Sequence, residues 1–115
     1  MLFRSTLMRS EAVVVCAAGR RADVRVAELV AALRSVTDAA AKRYLMANVP
    51  KSKLEEVRAL MPGISGPTVM DLAGHPGWVA VHAVVDESEI NGVIAMLKGI
   101  GATGVLVLPI ERMVP

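Results

Sequence analysis

Between residues 43 and 110 one cadence occurs twice: an apolar stretch of strand length, a capping-box spacing, then apolar residues at helical period. The first pass runs "RYLMANV", stopped by Pro50, then "SKLEEVRALM". Ser52 and Glu55 stand in the S-x-x-E spacing that satisfies two free N–H groups at a helix start. Leu54, Val57 and Met61 follow as an apolar stripe. The second pass runs "WVAVHAVV", then "ESEINGVIAMLKGI", with Asp86 and Glu89 at the same spacing and Gly99 and Gly101 as the stop. Between the passes lie "PGISGPTV" (62–69), a short strand "TVMDL" and a "GHPG" turn; "GVLVLPI" closes the series as a strand. The order is β-α-β-β-α-β. Right-handed crossovers fold it into an α+β ferredoxin-like sandwich, two helices on one face of a four-stranded antiparallel sheet.

Residues 1–42 read as a lead-in. "EAVVVCA" is β-branched and of strand length, ended by Gly19 and the pair Arg20-Arg21, yet it has no obvious second strand to pair with. "DVRVAELVAALRSV" places Val26, Leu29, Val30 and Leu33 at helical spacing behind Asp23, an N-cap, and "DAAAKR" extends or follows that helix. The domain proper is then 43–115. Its breaker-rich loop, 62–69, allows two explanations. Pro62 stops a helix and Gly63 caps it, or the loop fixes backbone groups and the Thr68 hydroxyl in one geometry.

The 115 residues fit one core. Hydrophobic residues make up 54% and aromatics only 3%, so that core must be aliphatic. A net charge of +2 and three scattered aromatics argue against nucleic acid, since RNA-binding sheets of this size stack bases on exposed rings. Cys16 stands alone, which excludes an intramolecular disulfide and a cysteine metal cluster, and reads as a small buried hydrophobe. No apolar run approaches the roughly 20 residues of a membrane span. The start superficially resembles a signal peptide, but Arg9, Ser10 and Glu11 interrupt it, and a cytoplasmic protein is expected.

Strand alternation puts Leu45, Ala47 and Val49, with Val79, Val81, Ala83 and Val85, on one sheet face. Tyr44, Met46 and Asn48, with Trp78, Ala80, His82 and Val84, fall on the other. Only one face meets the helices, yet both are apolar, so a homo-oligomer that buries the open face is expected. Convergent catalytic groups are few. His82 reads as an interface hydrogen-bonding residue, His75 as solvated, and Asp71, Asp86 and Glu89 as turn and cap residues. "GIGATG" contains G-x-G-x-x-G, but it follows a helix and precedes a strand, the reverse of the dinucleotide-binding context. No catalytic and no metal-binding residue is assigned; the domain reads as a binder.

"NVP" (48–50), "PGISGPTV", "WVAVHAVV" and "LKGIGATGVLVLPIE" occur in order across about seventy residues. Together they resemble the C-terminal regulatory domain of long-form ATP phosphoribosyltransferases, the first enzymes of histidine biosynthesis. "LMRSEAVVV" and the helix after it look like the segment that enters this domain from the catalytic lobes. The resemblance implies a PII-like regulatory domain that binds L-histidine between neighbouring copies for feedback inhibition, in a homo-oligomer (trimer or hexamer). Carried over by motif position, the pocket comprises Asn48, Ile64, Gly66, Thr68, Val84 and Gly104. Two positions depart from the family pattern: Asn48 stands where some relatives carry aspartate, and Gly66 where many carry serine. The lobes that bind ATP and phosphoribosyl pyrophosphate have no counterpart here, so the chain alone is not expected to be an enzyme or to carry a cofactor. Mg2+ is implied only for the full-length family enzyme. Three roles stay open: a histidine-binding regulator, the non-catalytic part of an enzyme completed by separate catalytic lobes, and a structural trimerisation module with a degenerate pocket.

Overall fold

The computed structural model describes residues 4–61 and 64–115. The helix stop assigned to Pro62 and Gly63 lies outside the described residues, as do residues 1–3 of the lead-in. The chain divides into two compact units, residues 1–33 and 34–115, and the division falls inside the first helix, α1 (Val24–Ala40). The larger unit, 34–115, contains the whole of the expected domain, 43–115, together with the last part of α1.

In the first unit Asp23 caps α1 as expected, its Oδ1 accepting the Arg25 N–H at 3.0 Å. The Arg25 side chain, then that of Arg20 at 2.6 Å, then the Arg25 backbone N–H hold the Asp23 carboxyl below its ordinary value of 3.8. A lowered carboxyl stabilises the fold fully above that ordinary value, and the support fades as pH falls through the lower folded value. The expected strand at 11–17 is not formed: these residues carry no regular secondary structure and are exposed, Cys16 among them rather than buried. A β-branched run favours extended backbone, but a strand exists only as part of a hydrogen-bonded ladder.

The second unit carries the sandwich. Its elements are β1 (Lys42–Pro50), α2 (Leu54–Leu60), β2 (Thr68–Asp71), β3 (Trp78–Asp86), α3 (Ile90–Gly99) and β4 (Thr103–Pro109). The sheet order is β2-β3-β1-β4, every pairing antiparallel, which is the ferredoxin-like topology. Leu45 and Val49 of β1 and Val81 of β3 are 0% exposed, and they pack with Val57 and Met61 from α2's side and Val93 and Leu97 of α3. Both helices thus cover one face. The chain end returns to α1, where the Met113 N–H donates to the Ser35 carbonyl at 2.8 Å and Arg112 Nε donates to Ser35 Oγ at 3.2 Å.

The two capping boxes do not form. Each helix is entered through a single 3-10 turn, 51–53 before α2 and 87–89 before α3, and neither start carries a side-chain cap hydrogen bond. The tighter turn shifts the helix start past Ser52 and Asp86. Asp86 instead ion-pairs with Lys42 across the β1–β3 ladder, and Glu87 accepts from Arg43 at 2.7 Å.

Two substitutions separate these roles. Leu45→Ala empties a fully buried site on the central strand and is expected to cost about 2–5 kcal/mol in urea unfolding. Ser52→Ala is expected to change stability by less than about 0.5 kcal/mol, where loss of a working cap costs about 1. A Ser52→Ala loss as large as a true cap's would restore the capping box.

Candidate functional site

The helix-free face is built by the even-numbered residues of β1 and β3. Tyr44, Met46 and Asn48 face out while Leu45, Ala47 and Val49 are buried. Strand register turns this alternation into rows across the sheet. Thr68, His82, Met46 and Leu106 form one row, with Val84, Tyr44 and Leu108 beside it. Met70, Ala80 and Asn48 form the next row in the other direction. Met70, Leu106 and Leu108 are exposed, so a broad apolar surface meets solvent. One end of the face is closed by the Lys42–Asp86 pair, which occupies the terminal register position of β1 and β3.

The middle of this face holds one polar contact. The Tyr44 hydroxyl lies 3.0 Å from His82 Nδ1, and the rings meet edge to face with centroids 5.7 Å apart. Placing His82 on the open face follows from alternation. Its partner was not foreseen, because the two residues are diagonal neighbours and only the register brings them together.

The six residues assigned from motif position fall into groups. Ile64 and Val84 share the wall of a cavity of about 140 Å³ whose apolar lining includes Leu60, Met61 and Val85. Gly66 and Thr68 lead from Ile64 into β2, where Thr68 is the cross-strand partner of His82. Gly66 has φ +82°, a left-handed conformation that favours glycine. Asn48 and Gly104 form a second group, at the irregularity in β1–β4 pairing that lies between Met46 and Asn48. Gly104 has φ +57°, and a Cβ built there would stand 3.3 Å from Asn48 Nδ2, so glycine is what lets β4 approach Asn48. Asn48 is four residues along β1 from Tyr44, the partner of Val84, a run of roughly 13 Å. A single chain therefore holds the residues at two separated places.

The cavity also has a polar rim that the sequence did not reveal: Lys42, Asp86 and Glu89. The spacing of Asp86 and Glu89 reads as that of cap residues, and Lys42 lies one position before the expected strand. Among the described residues no group of three or more His, Cys, Asp or Glu fit to hold a metal ion occurs. No helix among them is long and apolar enough to cross a membrane.

Comparison with known proteins agrees with the fold. Residues 39–112 match the family described as HisG, C-terminal domain. An ATP phosphoribosyltransferase of Natronomonas pharaonis is 56% identical over 81% of this chain and 33% of its own length. One from Gemmatimonas aurantiaca is 47% identical over 96% of this chain and 40% of its own length. One from Methanothermobacter thermautotrophicus is 51% identical over 76% of this chain and 31% of its own length. The chain thus spans about a third to two fifths of the relatives it matches. With the family match covering most of the sandwich, the chain belongs to the HisG C-terminal domain family.

Proposed function

We propose that this chain is the regulatory domain of an ATP phosphoribosyltransferase of histidine biosynthesis, and that it binds L-histidine at a seam between copies of itself. The observation that carries this reading is the split between Ile64–Thr68–Val84 and Asn48–Gly104. A single small amino acid does not reach both across roughly 13 Å of strand. A neighbouring copy that brings its Asn48–Gly104 group beside the first copy's Ile64–Thr68–Val84 group completes the site.

The character of the open face supports a copy as the partner. Its interior rows carry no Asp, Glu, Lys or Arg, and among the described residues the ion pair on it, Lys42–Asp86, lies at the end. An uncharged apolar surface is matched best by another such surface, and the broadest one this chain offers is the same face. Restricted backbone in the 64–68 loop, with Gly66 in a left-handed conformation, reduces the ordering entropy lost when a ligand binds. Asn48, where some relatives carry aspartate, offers the ligand a neutral amide in place of a carboxylate. One charge-assisted bond, worth roughly 1.5–3 kcal/mol, is replaced by a neutral one.

A second reading rests on residues 11–17, an exposed β-branched run outside any sheet. Such a segment fits an open sheet edge of a separately encoded pair of catalytic lobes. The chain would then be the non-catalytic part of the assembled enzyme, with magnesium and both substrates held by the lobes.

Calorimetry with L-histidine, together with light scattering at micromolar concentration, tests the first reading. A trimer or hexamer that binds histidine is expected; a monodisperse monomer, or no heat at millimolar histidine, refutes it. Thr68→Ala is expected to weaken histidine binding about tenfold with assembly unchanged, whereas a purely structural trimerisation module would show no ligand effect. Adding the chain to catalytic lobes and finding turnover unchanged would exclude the second reading.

A further inference from the structure

The cavity beside Ile64 and Val84 is mostly apolar, yet its rim carries charges of both signs. Lys42 stands at the first position of β1 and is held by Asp86 opposite it on β3. An ammonium has three donors, and this pairing leaves Lys42 with donors to spare. Glu89 lies in the 3-10 turn that leads into α3, and among the described residues its side chain makes no hydrogen bond or ion pair. An anchored cation and an uncommitted carboxylate therefore share one small concavity.

We propose that Lys42 and Glu89 are specificity-determining residues of the ligand site: Lys42 takes the α-carboxylate and Glu89 the α-ammonium of a bound amino acid. This rests on the histidine reading above. A free amino acid carries two opposite charges on adjacent carbons, so a cavity that removes water from both must pair both. An amine without a carboxylate leaves Lys42 without its second anion, and an acid without an amine leaves Glu89 without a cation. Each incomplete ligand forgoes one of the two charge pairs that L-histidine makes at the rim.

Size fixes the orientation. An apolar cavity of about 150 Å³ accommodates one benzene. The present one, about 140 Å³, holds one end of a histidine and not the whole of it. With the head group at Lys42 and Glu89, the imidazole points out of the cavity toward the seam. There Asn48 of a facing copy meets it. Asp86 acts as a positioning residue, because it holds the Lys42 ammonium at the rim.

The test is calorimetry on the assembled chain with three probes: L-histidine, histidinol (no carboxylate) and imidazole propionate (no amine). The parent is expected to prefer histidine over each analogue at least tenfold. Lys42→Met is expected to lose at least tenfold in histidine affinity while histidinol affinity stays within twofold; Lys42→Arg restores the preference. Glu89→Gln is expected to lose at least tenfold for histidine and less than twofold for imidazole propionate. If Lys42→Met weakens all three probes equally, its role is structural and the proposal is overturned, as it is if the variant keeps the parent's preference. A parent that binds histidine without discriminating overturns this proposal alone. A parent that binds none of the probes overturns the histidine reading and the proposal together.

Discussion

Strand β1 is the constraint on which the rest of the molecule depends. It pairs with β3 on one side and β4 on the other, so its register fixes both neighbours. Side chains alternate with a period of two, and a slip of one residue would exchange the core set for the exposed set. Leu45, Ala47 and Val49 are nearly water-free, and their burial against α2 and α3 forbids that slip. The outward positions of Tyr44, Met46 and Asn48 follow without any interaction of their own. The core therefore positions the candidate site: an apolar set on one face decides which polar atoms appear on the other.

This coupling explains why so much of the fold was legible and so much of the site was not. The strands, the helices and the division of β1 and β3 residues between faces follow from periodicity, which is a local property. The N-cap at Asp23 was legible for the same reason, since its bond to Arg25 spans two residues. Ser52 and Asp86 failed as caps because the sequence spacing cannot distinguish an α-helical first turn from a 3-10 turn that displaces the start. The Tyr44–His82 contact and the Lys42–Asp86 pair span 38 and 44 residues, so they depend on strand register rather than on neighbours in the chain. The run at 11–17 shows the limit from the other side: high β propensity describes a preference that only a partner strand can satisfy.

Splitting a ligand site between copies has a thermodynamic consequence. If histidine touches residues of two copies, it binds the assembled state better than the separate chains, and by linkage it strengthens their association by the same factor. A ligand with equal affinity for both arrangements would shift neither. Feedback control in such a design needs no long pathway inside the domain. It needs only that the seam carrying histidine differ between a more active and a less active arrangement of the copies.

The departures at Asn48 and Gly66 bear on how strongly that linkage can act. Gly66 and Gly104 have positive φ, and Gly104 also allows the close approach of β4 to Asn48, so the backbone at both places takes a shape that suits glycine. What Asn48 lacks is charge. A neutral amide in place of a carboxylate leaves shape and hydrogen-bonding reach intact and removes an electrostatic contribution. If histidine binds at a seam without that charge, Lys42 and Glu89 at the cavity rim would be the charged groups left to recognise a zwitterion. Selectivity then moves from the part of the ligand that differs between amino acids to the head group they share. On this argument the chain discriminates strongly between amino acids and their analogues with an altered head group, and more weakly between histidine and other amino acids of similar size.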